Sequence, residues 1–302
     1  MSELETQLDP IQHPHKDVYG VIGNPVAHSL SPLIHAEFAK QTQQAVYYGK
    51  LYSELAHFKE TVDTFFLRGG RGLNVTVPFK AEAYALCQNH SERAKAAGVV
   101  NIIWQKDSAY YGDNSDGIGL VRDIESDDFA IAGKRILMIG AGGAVQGVIL
   151  PFLEKKPQAI VIANRTLEKA QWMVDRFLPQ ARALGIELSA ISLEQIEQIQ
   201  EAFQIIINGT SSGLLGDSPL TQMQAYHLAQ LLKPSQEGLA YDMVYGKQTE
   251  FLVQMRSYGL VVKDGLGMLV EQAAKSFEVW REIEDQGLLN TQGVLEMLRN
   301  RS

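Results

Sequence analysis

The strongest constraint on the fold is an apolar run that closely spaced glycines interrupt. Residues 136–139 are apolar, 140–144 read Gly-Ala-Gly-Gly-Ala, and a second apolar stretch continues to Leu153. A buried strand that turns through a glycine loop into a buried helix produces this pattern, and such a loop lets the backbone approach a pyrophosphate at the helix N-terminus. The motif predicts a dinucleotide-binding βα unit, although a tight turn without a ligand would read the same. Val145 stands where this fingerprint prefers a small residue, so the helix is expected slightly further from its strand.

Strand and helix patterns alternate on both sides of this loop. Downstream, strands are predicted at 135–139, 159–163, 205–207, 239–243 and 261–262, with helices over 144–153, 167–177 and 249–258. Upstream, strands are predicted at 18–22, 45–51, 73–77 and 99–104, with helices over 32–43, 55–67 and 81–87. Repeated βα units indicate an α/β protein with a Rossmann-like, doubly wound parallel sheet that follows a separate α/β domain.

The polar stretch 113–117, Asp-Asn-Ser-Asp-Gly, has the turn chemistry of a connection and predicts a domain boundary. Residues 1–16 are expected to be a mobile tail, 17–115 the first domain and 116–264 the Rossmann-like domain. Residues 265–302 have apolar positions at helical spacing, so we expect helices that return to complete the first domain.

Charge and cysteine content limit the expected partners and the expected cellular compartment. The chain has 302 residues with 27 Lys+Arg against 35 Asp+Glu, a net charge of −8, which argues against nucleic acid as a partner. The single cysteine, Cys87, fits a reducing compartment, and cytoplasm is expected. The polar, acidic N-terminus does not resemble a secretory signal. The uncharged run 136–153 approaches the length of a membrane span, but its glycines and proline favour a buried strand and helix.

The end of the second downstream strand predicts the cofactor. NAD-binding proteins place a carboxylate there to bind the ribose 2′-hydroxyl. This chain has Asn164-Arg165-Thr166, with Lys169 one turn later. Cations favour a 2′-phosphate, so NADP is predicted, although a solvated Arg165 is an alternative.

Two serines precede the first upstream helix. Ser31 followed by Pro32 reads as a helix N-cap, whereas Ser29 has no such explanation. Two hydroxyls at a helix N-terminus also suit a carboxylate ligand, and the sequence leaves both interpretations open.

Polar residues cluster at predicted strand ends. Asn74 and Thr76 share one strand face, and Lys80 falls in the first turn of a helix, where a cation opposes the dipole. Asn101 interrupts an apolar strand and requires partners. Asp116 fits either an Asx turn or a functional carboxylate.

Several short stretches stand in a fixed order along the chain. They are His28-Ser29-Leu30-Ser31-Pro32, Asn74-Val75-Thr76-Val77-Pro78-Phe79-Lys80, Asn101, Asn114-Ser115-Asp116-Gly117, Gly140-Ala141-Gly142-Gly143-Ala144, Asn164-Arg165-Thr166, Asn208-Gly209-Thr210-Ser211-Ser212-Gly213, Asp242-Met243-Val244-Tyr245 and Asp264-Gly265-Leu266-Gly267-Met268-Leu269-Val270-Glu271-Gln272. Together they resemble the shikimate dehydrogenase family. Ser115, where Thr is more usual, and Gln146-Gly147, where Arg-Ala often follows, depart from the family pattern.

The resemblance implies reversible NADPH-dependent reduction of 3-dehydroshikimate to shikimate, in the biosynthesis of chorismate and the aromatic amino acids. It makes Lys80 and Asp116 the expected catalytic residues. The residues that it implies for substrate binding are Ser29, Ser31, Asn74, Thr76, Lys80, Asn101, Asp116, Tyr245 and Gln272. Those that it implies for NADP binding are Gly140, Ala141, Gly142, Gly143, Ala144, Asn164, Arg165, Thr166, Lys169, Met243, Gly265 and Glu92.

The chemistry follows from the residue types. Hydride transfer to a ketone leaves an alkoxide, and a Lys80 ammonium supplies both a proton and a positive charge, with Asp116 orienting it. A quinate/shikimate dehydrogenase using NAD and a non-catalytic sensor of dinucleotide or shikimate are the alternatives. The expected partner is a small-molecule substrate, with no nucleic acid, membrane or metal ion, in a monomer or homodimer.

Overall fold

The structure is a computed structural model that describes residues 7–127, 129–232, 238–285 and 287–301. The chain divides into two compact units, one over Met1–Gly119 with Val270–Ser302 and the other over Leu120–Leu269. The chain passes from one unit to the other inside two helices, a few residues after the boundaries predicted at 115 and 264.

The first unit contains a mixed six-stranded sheet in the order β2-β1-β3-β5-β6-β4. Its elements are β1 (Asp17–Gly23), α1 (Ser31–Gln41), β2 (Val46–Tyr52), α2 (Phe58–Leu67), β3 (Gly70–Val75), α3 (Lys80–Leu86), β4 (Asn89–His90), α4 (Glu92–Ala97), β5 (Ile102–Lys106) and β6 (Ala109–Asp113). β1 runs parallel to β2 and β3, whereas β5 runs antiparallel to β3 and β6. The four predicted strands and three predicted helices of this region are confirmed with shifted ends.

Both faces of this first sheet are covered, because alternate residues of a strand point to opposite sides. Val18 and Ile22 of β1 belong to a core with Phe65 of α2. Tyr19 and Val21 belong to a second cluster on the other side of the strand. Three of the nine predicted substrate residues lie at strand ends of this sheet: Asn74, Thr76 and Asn101.

The segment 7–16 differs from the mobile tail predicted for 1–16. Asp9 begins a short 3₁₀ helix (Pro10–Gln12) by accepting a hydrogen bond from Ile11, and its carboxylate forms an ion pair with Arg68 at 2.5 Å. The His13 ring stacks on Tyr47 with 3.6 Å between centroids. These contacts attach the segment to the first unit, while residues 1–6 lie outside the described residues.

The second unit contains a parallel six-stranded sheet in the order β9-β8-β7-β10-β11-β12. The remaining elements of the chain are α5 (Asp116–Glu125), β7 (Arg135–Ile139), α6 (Gly143–Glu154), β8 (Ala159–Asn164), α7 (Leu167–Ala183), β9 (Glu187–Ser192), a 3₁₀ helix (Leu193–Gln198), β10 (Ile205–Asn208), α8 (Ser212–Leu215), α9 (Gln222–Leu232), β11 (Leu239–Asp242), α10 (Glu250–Ser257), β12 (Val261–Lys263), α11 (Leu266–Arg281) and α12 (Thr291–Arg299). This strand order is that of a Rossmann sheet, so the predicted doubly wound fold is confirmed.

Four segments depart from the sequence prediction. The polar stretch 113–117 runs from the last residue of β6 into the first two residues of α5, and α7 continues through Pro179 to Ala183 beyond its predicted end. Strand β9 and helix α9 were not predicted. The uncharged run 136–153 forms β7 and α6, and none of the helices in the described ranges is long and apolar enough to cross a membrane.

Candidate active site

The first unit pairs one lysine with one buried carboxylate. Pro78 lies between β3 and α3, and α3 begins at Lys80, one residue before its predicted start, so that Lys80 lies in the first turn as expected. The Lys80 ammonium donates to both oxygens of Asp116, at 2.9 Å to Oδ1 and 2.7 Å to Oδ2. The Lys80 side chain is 26% exposed and the Asp116 side chain 4% exposed, so the lysine is partly accessible to solvent while the carboxylate is buried. The carboxylate fixes the lysine head and leaves one ammonium proton for another acceptor.

Asn101 joins this pair to two further elements. Its Nδ2 donates to Asp116 Oδ1 at 2.8 Å, to Ser115 Oγ at 3.2 Å and to Gln272 Oε1 at 3.5 Å. Its Oδ1 accepts from the Ser115 amide at 2.9 Å. The side-chain amide of Asn101, which needs hydrogen-bond partners among apolar neighbours, therefore has them. They include the predicted residues Asp116 and Gln272.

The segment that leads into α5 is a buried polar loop, and its sequence predicted a turn-like connection between domains. Asp113, Asn114, Ser115 and Asp116 are each at most 3% exposed. The Asx turn belongs to Asn114, whose Oδ1 accepts the Asp116 amide at 3.0 Å, and not to Asp116. Arg93 donates to Asp113 at 2.5 Å. Sequence reasoning missed this support because Asp and Asn are typical of both exposed turns and buried loops.

Asn74 connects β3 with β2 and α11. Its Nδ2 donates to Ser276 Oγ at 2.7 Å and to the Asn101 carbonyl at 3.1 Å, while its Oδ1 accepts from the Tyr48 hydroxyl at 2.8 Å. Burial raises the pKa of Tyr48 well above its usual value. Asn74 therefore holds the strand end together, and its own amide hydrogens are used within the protein.

The structure tests one of the two interpretations of the serines before α1, the helix cap. The helix begins at Ser31, and its N-cap residue is Leu30, which makes no side-chain cap bond. Ser29 Oγ instead accepts from the Ser31 amide at 3.3 Å. The Ser31 cap interpretation was wrong by one position, and the hydroxyl of Ser31 remains a candidate ligand group. Thr76 follows β3 directly, and its methyl carbon would lie 2.4 Å from a β-carbon on Gly23 at the end of β1.

The glycine loop of the second unit lies between β7 and α6. Gly140 has a φ of +110°, a conformation that L side chains rarely adopt. A β-carbon on Gly142 or Gly143 would meet nothing within 4 Å, so the backbone at the start of α6 is open to a ligand. Ala141 is half-buried and Ala144 is exposed. Open amides at a helix N-terminus fit a pyrophosphate.

The second unit accommodates Val145 by a device that the sequence did not reveal. Val145 is 1% exposed, and its Cγ2 would lie 2.4 Å from a β-carbon on Gly209. The larger residue therefore packs against the loop after β10.

The residues predicted to bind the 2′-phosphate lie at the end of β8. Asn164 Nδ2 donates to the Thr166 carbonyl at 2.8 Å, and α7 begins one residue later. Arg165, Thr166 and Lys169 are exposed. The turn 164–166 itself carries no carboxylate, and the two exposed cations, Arg165 and Lys169, suit an anionic group, although the exposed Glu168 lies between them in the first turn of α7.

Three buried polar residues support the loops after β10 and β11. Asp242 accepts from Asn208 Nδ2 at 3.1 Å, from the Thr249 hydroxyl at 2.6 Å and from the Val244 amide at 3.0 Å. Burial raises the pKa of Asp242 despite these bonds. A β-carbon on Gly265 would lie 2.3 Å from the carbonyl oxygen of Met243, so these two predicted cofactor residues are in direct contact.

Two predicted residues stand apart from these groups. Glu92 belongs to α4, is largely exposed and forms an ion pair with Lys95 at 2.7 Å. Tyr245 belongs to the second unit, unlike the other predicted substrate residues, and burial raises its pKa. No group of three or more metal-ligating side chains occurs among the residues described.

Two family models match most of the chain. The model for the shikimate dehydrogenase substrate binding domain matches residues 21–103, and the model for shikimate / quinate 5-dehydrogenase matches residues 123–231. The chain is similar to shikimate dehydrogenase (NADP(+)) from Cupriavidus taiwanensis, with 48% identity over 282 residues that cover 92% of each chain.

Solved structures agree in fold. An Ael1 enzyme from Pseudomonas putida is 38% identical with a TM-score of 0.80, over 94% of this chain and 98% of that one. Shikimate 5-dehydrogenase from Thermus thermophilus, in complex with NADP(H) and shikimate, is 30% identical with a TM-score of 0.76, over 94% of this chain and 99% of that one. The likeness thus extends over both units.

Proposed function

We propose that this chain, which belongs to the shikimate dehydrogenase family, catalyses the reversible NADPH-dependent reduction of 3-dehydroshikimate to shikimate. The observation that carries the proposal is the Lys80–Asp116 pair beside Asn101, because an oriented ammonium within a group of hydrogen-bonding side chains suits a carbonyl that is to be reduced. The product enters the biosynthesis of chorismate and the aromatic amino acids.

Lys80 is the proposed proton donor. In the direction of reduction, the substrate carbonyl oxygen gains negative charge as its carbon gains a hydride, and the Lys80 ammonium stabilises that charge and donates a proton to the oxygen. Asp116 accepts from Lys80 through both oxygens and so keeps the ammonium in place. Because Lys80 is partly exposed, solvent replaces the proton after turnover.

The proposed substrate contacts are hydroxyl and amide groups of the first unit. Ser29, Ser31 and Thr76 supply hydroxyls for the substrate carboxylate, and Asn101, Asp116 and Gln272 bind the ring hydroxyls. Asn74 supports the site indirectly, because its amide hydrogens are already bound to Ser276 and to the Asn101 carbonyl. Tyr245 of the second unit is proposed as a further substrate contact.

The proposed NADP site uses the glycine loop and the end of β8. Bound NADPH supplies the hydride. The open amides of Gly142 and Gly143 hold the pyrophosphate, and Arg165 and Lys169 bind the 2′-phosphate, with Asn164 and Thr166 shaping their turn. The exposed Glu92 is the weakest member of the proposed set, because it already pairs with Lys95.

The domain roles, setting and assembly complete the proposal. The first unit binds substrate and carries the catalytic lysine, while the second binds NADP. A small carboxylic acid is the proposed partner, in a cytoplasmic monomer or homodimer. A single cysteine, buried and with its pKa raised by burial to about 12, suits a reducing compartment.

Initial rates test the proposed function directly. Purified protein is assayed with shikimate or quinate, each with NADP⁺ or NAD⁺, by the absorbance of the reduced nicotinamide. The pair shikimate and NADP⁺ is expected to give the highest kcat/KM. Faster turnover of quinate with NAD⁺ would favour the quinate/shikimate alternative, and binding of shikimate and NADP⁺ without turnover would favour a sensor.

A further inference from the structure

A buried carboxylate of the second unit has no part in the chemistry proposed above. Asp123 of α5 is 1% exposed. Its Oδ2 accepts from the Tyr241 hydroxyl at 2.6 Å, and its Oδ1 pairs with Lys263 Nζ at 2.9 Å. Tyr241 is fully buried and Lys263 is 7% exposed. Lys263 also pairs with the half-exposed Asp127 at 2.7 Å, so the ammonium is shared between two carboxylates.

The same carboxylate lies directly against the first turn of α11. A β-carbon on Gly267 would lie 1.9 Å from Asp123 Oδ1 and 2.6 Å from Asp123 Oδ2. No side chain fits there, so the close approach depends on glycine. A carboxylate beside a helix N-terminus is also favoured by the helix dipole. Asp123 therefore fixes the start of α11 relative to the end of α5.

Each of these two helices also carries a residue of the proposed substrate site, away from its contact with Asp123. α5 begins at Asp116, about two turns before Asp123, and α11 contains Gln272, more than one turn after Gly267. An α-helix is stiff over this length, so the placement of one turn sets the position of the next. Asp116 pairs with Lys80, and Gln272 accepts from Asn101.

Stability alone does not account for a buried ionic network. Removing two charges from water opposes their attraction, and well-packed apolar residues of similar volume often stabilise a protein as much or more. What charged and hydrogen-bonded groups provide in addition is directional geometry. The network directs each oxygen of Asp123 to one partner, which apolar packing would not do.

We propose that Asp123, held by Tyr241 and Lys263, is a positioning residue that aligns Asp116 and Gln272 through helices α5 and α11. This inference rests on the proposed function for its kinetic readout. The network belongs to the unit that carries the glycine loop, but the proposal expects its loss to lower kcat/KM for shikimate.

Tyr241→Phe tests the proposal with the smallest change, since only one hydroxyl is lost. Misplacement of reacting groups by about 1 Å lowers rates by ~10²-fold, so we expect kcat/KM for shikimate to fall between ~10- and 100-fold. The Kd for NADP⁺, measured by fluorescence titration, should stay within about twofold. Asp127→Asn is the matched control, because it removes the exposed partner of the same lysine, and it should change neither quantity by more than about twofold.

A paired substitution separates positioning from folding. Lys263→Met alone leaves a buried carboxylate uncompensated and is expected to lower Tm, whereas Asp123→Leu with Lys263→Met removes both charges and should recover Tm. Positioning predicts that kcat/KM for shikimate stays low in this double variant. Recovery of kcat/KM together with Tm would overturn the proposal, as would Tyr241→Phe with wild-type kinetics or with a parallel loss of NADP⁺ binding.

Calorimetric binding of shikimate distinguishes this proposal from the function on which it rests. If the wild-type protein binds shikimate without oxidising it, the proposed activity fails, while the ratio of the Kd values of Tyr241→Phe and wild type still decides the positioning. An unchanged Kd in that case would refute the role of Asp123. If the wild-type protein does not bind shikimate, both proposals fail.

Discussion

Val145 fills the space that the absent side chain of Gly209 leaves open, since a β-carbon on Gly209 would lie 2.4 Å from Val145 Cγ2. The first turn of α6 and the loop after β10 are thereby packed against each other. The same hypothetical β-carbon would lie 3.0 Å from Met243 Sδ, so Gly209 serves two neighbours. A large residue in the glycine loop is therefore compatible with a dinucleotide site because a glycine stands opposite.

Gly209→Ala should therefore destabilise the protein. The added methyl group overpacks a buried contact, and overpacking typically costs about 1–3 kcal/mol. Urea unfolding measures the loss, and Val145→Ala in the same chain should relieve part of it, with a coupling of about 0.5–3 kcal/mol between neighbouring positions. Strictly additive effects would mean that the two residues do not share the space.

The strands of the second unit were predicted better than those of the first, although β9 was missed. Parallel strands buried on both faces are continuous apolar runs, and β7, β8 and β10 carry such runs, so they were found within a residue or two. In the first unit, β4 has only two residues, too few to show a period, and the two buried residues of β6 are adjacent at its end, so β6 shows no alternation. α7 passes through Pro179, where sequence reasoning ends a helix.

The candidate site was predicted in its residues but not in its support. Lys80 and Asn101 stood out because each opposes its local context, one as a cation at a helix start and the other as a polar group among apolar ones, whereas Asp116 was singled out by the family resemblance. Tyr48 and Ser276 did not, because a tyrosine on a strand and a serine on a helix have ordinary structural roles. Only the fold brings them to Asn74, from positions far apart in the chain.

Arg165→Ala should raise the KM for NADP⁺. A charge-assisted hydrogen bond contributes about 1.5 kcal/mol or more, which corresponds to roughly a 10-fold increase. The KM for NAD⁺, which has no 2′-phosphate, should hardly change, and neither should the KM for shikimate. Arg182→Ala, an exposed cation in the last turn of α7, the helix that follows Arg165, is the control. Equal effects on both cofactors would assign Arg165 a structural role.

His35 should make stability depend on pH. The side chain is fully buried, one turn after Ser31 on α1, and stacks on Tyr48 at 4.0 Å between centroids. Burial lowers its pKa to about 3, whereas an unfolded chain has a histidine pKa near 6.5. The unfolded state therefore takes up a proton below about pH 6.5 that the native state does not.

The unfolding free energy should therefore decrease as the pH is lowered. His35 alone should contribute a decrease of about 1.4 kcal/mol between pH 7.5 and pH 5.5. His35→Phe removes the titrating group, so its unfolding free energy should fall by about that much less over the same interval. Urea unfolding at the two pH values gives both differences. Equal differences for wild type and variant would show that His35 becomes protonated in the folded protein.

Lys80→Met carries the most consequence for the proposed chemistry. Methionine keeps an unbranched stem and a good helix propensity while it removes the proton and the charge, so folding should survive and kcat should fall by roughly 10²–10⁴-fold. The Kd for NADP⁺ should be unchanged. Lys59→Met, which removes an exposed ion pair with Asp63 on α2, is the matched control and should retain full activity.

Asp116→Asn extends this test to the pair. The carboxylate accepts from Lys80 through both oxygens, so its loss releases the ammonium from its position and should also lower kcat. Because the two residues act as a unit, the double variant should lose far less than the product of the single losses. The proposed role of Lys80 would be wrong if Lys80→Met retained more than about half of the wild-type kcat under conditions where chemistry limits turnover. The proton donor would then be another group, and Asp116 would have only a structural role, through its contact with Asn101 and its place at the start of α5.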